Sequence, residues 1–260
     1  MAHLDITLKM KENIQSKGYE IELKKIEYKV YNLNQEKEKI KKIMLACHGF
    51  DSSKNGSSIR KISEGFSKIK MPIISFDWAG HGDNTDELTI KNCINIFKTI
   101  EKQIIEEYPN AQIYLYGSSF GAYMVLLLYS KGLIDNKYTY CFFKSPAIKM
   151  DEIFKEKLLE EDFEKFKKRG YTIKNRNKKM TIPYKFYEEL CENKIILENI
   201  KDKIPNIIIF HGTDDDIASV EATKMLTCDN VKLIQISGAP HSFKGEYLDE
   251  MIKEMLEAIH

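Results

Sequence analysis

The chain has 260 residues, of which 43% are hydrophobic and 30% charged, with a formal net charge of +1. This length suits one domain with room for an insertion and a sizeable core. The balanced charge argues against a general affinity for nucleic acid or anionic membrane, and no apolar run approaches the length of a membrane span. The N-terminus, Met1-Ala2-His3-Leu4-Asp5, lacks a basic segment followed by an apolar one, so no signal peptide is expected. The five cysteines, Cys47, Cys93, Cys141, Cys191 and Cys228, are odd in number and widely spaced. No C-x-x-C pair suggests zinc, and a reduced cytoplasmic compartment is the simplest expectation, with no metal and no cofactor.

In chain order, Tyr19 to Tyr31 alternates and is rich in Ile, Tyr and Val, which predicts one or two leading strands. A charged turn from Asn34 to Lys42 follows, and then a regular beat of short apolar strands and helical stretches. Strands are expected at Ile43 to Cys47, Pro72 to Phe76, Ile113 to Tyr116, Tyr138 to Phe143, Asn206 to Phe210 and Val231 to Ile236. Helical spacing marks Ile59 to Ile69 and Tyr247 to Ile259. A long amphipathic helix is expected over Thr89 to Tyr108, with Ile90, Ile94, Phe97, Ile100, Ile104 and Ile105 on one face. Alternating apolar strands and helices predict a mostly parallel sheet covered on both faces. The beat breaks between Pro146 and Ile204, where no strand is evident and amphipathic helices are expected over Asp151 to Lys168 and Tyr184 to Leu197. An insertion after a strand's C-terminal end lies over the ligand-binding edge of such a sheet, so residues 146–200 are read as a helical lid on a core formed by 1–145 and 201–260.

Gly117-Ser118-Ser119-Phe120-Gly121 joins the strand at Ile113 to the apolar stretch Ala122 to Tyr129, which reads as a buried helix. A G-x-S-x-G between strand and helix is the context of a nucleophile elbow, with Ser119 at the exposed tip. A serine hydroxyl is a poor nucleophile at neutral pH and needs a base, an acid that orients the base, and donors for the oxyanion. The base expected is His241, in the loop after the last strand, where an imidazole titrates near neutrality. His81 is the rival base, but it precedes the serine in the chain. His48 and His211 each precede a glycine at a strand end and are expected to pack and hydrogen-bond locally. The acid falls within Asp214-Asp215-Asp216, with Asp215 preferred and its two neighbours left open. For the oxyanion, one backbone N–H is expected from Phe120, after the nucleophile, and one from Phe50 in the His48-Gly49-Phe50 loop.

In order and spacing, His48-Gly49-Phe50, Gly80-His81-Gly82 after Phe76-Asp77, Gly117 to Gly121, and the Asp215/His241 pair resemble the α/β-hydrolase superfamily, from about residue 20 to 260. The long insertion makes the chain similar to the lidded serine hydrolases of the monoacylglycerol-lipase and cinnamoyl-esterase type. That resemblance implies the α/β-hydrolase fold, maps the acid to Asp215, and implies cleavage of a small-molecule carboxylic ester through an acyl-enzyme. A thioesterase or acyltransferase would use the same triad, and a non-catalytic binding module of the same fold is the alternative from another class. Neither a nucleic-acid partner nor a membrane span is expected, and oligomeric state is left open.

Residues 165–179 carry Lys165, Lys167, Lys168, Arg169, Lys174, Arg176, Lys178 and Lys179 and no acid. A solvated connection between lid helices accounts for such a run, and a cationic rim that attracts an anionic substrate is the sharper alternative. The aromatics Phe154, Phe163, Phe166, Tyr171, Tyr184, Phe186 and Tyr187 are expected to form the lid's own small core, with lining of an acyl or aryl pocket as the alternative.

Overall fold

The computed structural model describes residues 4–8, 26–33, 36–134, 138–175, 178–200 and 206–259. Its centre is an eight-stranded sheet built from β1 (Leu4–Leu8), β2 (Ile26–Tyr31), β3 (Lys42–Cys47), β4 (Ile73–Phe76), β5 (Gln112–Ser118), β6 (Tyr138–Lys144), β9 (Asn206–Gly212) and β10 (Val231–Ile236). The spatial order is β1-β2-β4-β3-β5-β6-β9-β10. Pairing is antiparallel from β1 through β2 to β4 and parallel from β4 onward. The mostly parallel sheet expected from the alternation is therefore present. The part of the leading strands expected before Ile26 lies outside the described residues, and β1 lies upstream of the segment where the alternation placed a strand.

Side-chain alternation feeds two cores. In β3, Ile43, Leu45 and Cys47 enter one, and Met44 and Ala46 enter the other. The first core is closed by α2 (Ile90–Glu107) and α3 (Phe120–Ser130), the second by α1 (Ser57–Phe66) and α8 (Glu246–Ile259). In α2, Thr89 caps the helix by accepting from the Asn92 amide at 3.0 Å, and the buried face is Ile90, Cys93, Ile96, Phe97, Ile100, Gln103 and Ile104. Ile94 and Ile105, expected on that face, are only partly buried beside it. All of α3 is buried, so it has no polar face to orient it and its place is set by contacts on every side. A short α7 (Val220–Lys224) links β9 to β10.

Between β6 and β9 the chain forms α4 (Met150–Ile153), a π-helical turn (Phe154–Leu158), α5 (Phe163–Arg169), a hairpin of β7 (Tyr171–Lys174) and β8 (Met180–Pro183), and α6 (Tyr184–Glu192). The single helix expected over Asp151 to Lys168 is broken. Leu159 is extended, and the Asp162 carboxylate starts a new helix by accepting from the Lys165 amide at 3.0 Å. The hairpin corrects the expectation that this region lacks strands. Tyr171, Thr172 and Ile173 are strand formers whose signal is masked by the basic residues around them. Tyr123 Oη of α3 donates to Asn193 O at 2.8 Å, and Ser130 accepts from the Ile196 amide at 2.9 Å, so the insertion is fastened to the helix that follows the elbow.

Candidate functional site

The C-terminal ends of the parallel strands converge on Ser119. Its backbone has φ 51° and ψ −111°, a conformation that costs a non-glycine residue about 1–3 kcal/mol. The surroundings hold it there. The Ser119 amide donates to Lys144 O at 2.9 Å, and its carbonyl accepts from the amides of Tyr123 (3.0 Å) and Ala147 (3.3 Å). The flanking glycines make the fold-back sterically possible. A Cβ on Gly121 would lie 2.3 Å from Cys47 O, and one on Gly117 would lie 2.9 Å from the Ala122 backbone. The turn is thus wedged between β3 and its own helix.

The three residues expected around the hydroxyl are brought together. His241 Nε2 lies 2.9 Å from Ser119 Oγ. His241 Nδ1 lies 2.9 and 3.0 Å from the two carboxylate oxygens of Asp215. With Asp215 ionised, Nδ1 carries the proton and donates, which leaves Nε2 free to accept from the serine. Asp215 itself is tightly held. Its Oδ1 accepts from the amides of Ile217 (3.0 Å) and Ala218 (2.8 Å), and its Oδ2 lies 3.2 Å from His211 Nε2. Burial of this side chain opposes its ionisation. The hydrogen bonds from His211 and His241, the attraction of the His241 charge and the Ala218 amide outweigh it, holding the carboxyl well below the usual range. Asp214 and Asp216 are exposed and Asp214 accepts from Thr213 Oγ1 at 2.9 Å, so neither approaches the imidazole by a hydrogen bond.

His211 takes a larger part than its place before a glycine suggests. It packs as expected, fully buried, and its Nδ1 accepts from Thr223 Oγ1 at 2.9 Å while Nε2 faces Asp215 and Ala218 O. The signal was present in its spacing of four residues before Asp215. His48 and His81 are bracing residues. His48 Nδ1 lies 2.8 Å from Gly49 O, and its Nε2 accepts from the Trp78 amide at 3.3 Å. His81 bonds Ala79 O at 3.0 Å through Nδ1 and stacks on Phe120, and burial first, then the neighbouring His48, pushes its pKa down to about 3. With its basicity lowered and no hydrogen bond to Ser119 among the described residues, this ring does not serve as its base.

The loop after β3 passes beside the elbow: a Cβ on Gly49 would sit 3.4 Å from Ser119 Cβ. The amides of Phe50 and Phe120 donate no hydrogen bond among the described residues. The Phe50 ring is enclosed by Phe120 (5.9 Å), His81 (5.3 Å) and, from the insertion, Phe154 (6.1 Å) and Phe186 (6.0 Å). Phe154, Phe166 and Phe186 are fully buried, so they form a core that docks the insertion onto the site. In the basic segment, Lys174 is buried against Leu158 O and Glu160, and Lys178 bonds Gly82 O and Asp83. These two charges are used internally. The open space at Ser119 is a cleft of about 200 Å³ on the α1 side, lined by residues that include His48, Ser58, Tyr116, Lys144 and His241. Lys144 at the end of β6 is a further residue of this cleft, and its sequence signal is a lone cation ending an apolar strand.

A family model described as the alpha/beta hydrolase fold matches residues 42–138. No curated protein matches the chain by sequence. Among solved structures, a soluble variant of monoglyceride lipase from Saccharomyces cerevisiae in complex with a substrate analog is 14% identical, with TM-score 0.73, covering 98% of this chain and 95% of that one. Est1E from Butyrivibrio proteoclasticus is 17% identical with TM-score 0.70, covering 90% and 95%. Alpha/beta hydrolase domain-containing protein 10 from mouse is 18% identical with TM-score 0.69, covering 97% and 98%. No helix among the described residues is long and apolar enough to cross a membrane. By the match across β3 to the start of β6, by its sheet and by these likenesses, the chain has the α/β-hydrolase fold.

Proposed function

We propose that the protein is a serine hydrolase of small carboxylic esters. The observation that carries this reading is the continuous hydrogen-bond chain from Ser119 through His241 to Asp215, on a fold whose likenesses include lipases and esterases. Ser119 Oγ attacks the ester carbonyl while His241 Nε2 takes its proton. Asp215 holds the imidazole in the tautomer that can accept, and stabilises the cation that forms. The amides of Phe50 and Phe120 donate to the developing oxyanion, where the start of α3 adds a favourable dipole. Collapse expels the alcohol, which takes its proton from His241. Water then attacks the acyl-enzyme by the same route in reverse and frees the acid. Residues 146–200 act as the lid. They cover Phe50 with Phe154 and Phe186, and the cleft of about 200 Å³ at the serine lies on the other side, against α1.

Treatment of the wild type and Ser119→Ala with a fluorophosphonate probe and a short-chain aryl ester tests the reading. Wild type is expected to label and to turn over the ester, and the variant to do neither. A wild type that does neither, or a variant that matches it, removes the hydrolase reading and leaves a binding module of the same fold.

A further inference from the structure

Among the described residues, Lys144 is a buried cation without a counter-ion. The residue is 4% exposed and is among those that line the cleft at Ser119. Its Nζ donates to His241 O at 3.0 Å and lies 5.1 Å from the Phe243 ring centre. No carboxylate among the described residues lies within ion-pair distance. Asp215 attracts it from farther off, but the oxygens of Asp215 are taken up by two imidazoles and two amides. Buried ammonium groups are normally paired, because desolvation is costly when a carbonyl alone replaces water. Burial accordingly pushes this group down to about 8, with the Asp215 charge opposing that shift, so it is still mainly protonated at neutral pH.

The rest of the cleft has the same bias. No Asp or Glu lines it. α1 begins beside it at Ser57 and Ser58 with no side-chain cap and no acidic residue in its first turn, which leaves amide donors and the positive end of the helix dipole uncompensated. Tyr116, also lining the cleft, is fully buried near Ser118, and its hydroxyl makes no hydrogen bond of normal geometry. An unpaired cation, free amides and an unsatisfied hydroxyl around one small space share one complement.

We propose that this cleft is a subsite for an anionic group carried by the ester substrate, a carboxylate or phosphate a few bonds from the scissile carbonyl, with Lys144 as its counter-ion. The proposal rests on the hydrolase reading and names the substrate class for it. Lys144 is then a specificity residue that also steadies the His241 loop through the carbonyl it already bonds.

The test is a ratio of kcat/KM values measured within each variant, so that general losses cancel. The aryl hemiglutarate is compared with the aryl butyrate, and the butyryl ester of glycerol phosphate with butyrylglycerol. Wild type should favour the anionic member of at least one pair by roughly tenfold or more, the range of a charge-assisted contact. The first pair reports a carboxylate on the acyl side, the second a phosphate on the alcohol side, and either supports the subsite. Lys144→Met should abolish the preference, and Lys144→Arg should retain part of it. Because an apolar replacement at this position could disturb the fold, Ser58→Asp is the second variant. A carboxylate in the first turn of α1 favours the helix but repels an anion, so the preference should fall while the melting temperature holds. Turnover of the neutral esters with no preference for either anionic one overturns the subsite and leaves the hydrolase standing. The subsite is equally overturned if Lys144→Met slows neutral and anionic esters alike, because Lys144 is then only a clamp on His241. Absence of both probe labelling and turnover of every ester removes the hydrolase reading, and the substrate class with it.

Discussion

At Ser119 a strained backbone and a half-buried hydroxyl within reach of His241 occur together because the residues around the turn hold both in place. Asp215 acts on that hydroxyl through His241. Its two oxygens accept from two amides and two imidazoles, so replacing it by Asn removes a charge-assisted acceptor and favours the wrong imidazole tautomer. Asp215→Asn is expected to lower kcat by about 10³–10⁴, whereas Asp214→Asn and Asp216→Asn leave it nearly unchanged. Stability follows the same group. Its pKa in the folded protein lies below the unfolded value of about 3.9, so its contribution is complete above that value and is lost as pH falls. Urea unfolding should show wild type more stable than Asp215→Asn by about 1–3 kcal/mol at neutral pH, with the gap closing in acid. For Lys144 the expected dependence has the opposite sense. Deprotonation near pH 8 removes the cation, so the kcat/KM preference for an anionic ester should fade as pH rises through about 8. Of the ionisable groups near it, Asp215 keeps its charge over that range, Tyr116 is raised by burial and keeps its proton, and His241 acts on both esters alike.

Among elements, the decisive contact is between the start of α3 and the end of β3. Gly121 lets the helix come so close that a methyl group would meet Cys47 O at 2.3 Å and His48 O at 2.6 Å. Backbone atoms cannot rotate aside as a side chain can. Gly121→Ala should therefore lower stability by about 3 kcal/mol or more, read as the midpoint of urea unfolding, and should displace the elbow. The insertion depends on aromatic contacts of a different kind. Phe186 packs on Phe50, Phe120 and Phe154, so Phe186→Ala removes the centre of the cluster that seats it. The expected loss is about 3–5 kcal/mol, concentrated in that region. Hydrogen exchange over residues 146–200 should accelerate more than in β5 or α3.

For the whole molecule, the core closed by α2 and α3 accounts for the chemistry of the thiols. Cys47, Cys93 and Cys141 are fully buried, and burial raises the pKa of each, to about 12 for Cys93 and Cys141. Cys191 and Cys228 are only partly covered. In the native protein a thiol reagent should modify Cys191 and Cys228 first, and the other three only on unfolding, as read by peptide mass analysis. Rapid native labelling of Cys47 would show that the sheet is not packed in this way.

Much of this architecture is legible in the order of residues. Short apolar strands with period 2 and helices with period 3.6 specify which faces are buried, and hence the parallel sheet and the two cores. Gly117, Ser119 and Gly121 mark the elbow, because glycines two residues either side of the serine let the strand and the helix approach closely. The loops bearing His241 and Asp215 follow strands, so their convergence on one edge is implied by the topology alone. Distance along the chain cannot show which of three adjacent aspartates turns inward; amides of Ile217 and Ala218 and the ring of His211 select Asp215. Nor does it show that Phe154 and Phe186 close over Phe50, or that the basic run divides between α5 and a hairpin with Lys174 buried. Lys144 is the sharpest instance. In sequence it is one lysine among many, and only packing leaves its charge buried beside the serine without a carboxylate partner among the described residues, because burial and pairing are properties of the neighbours that the fold supplies.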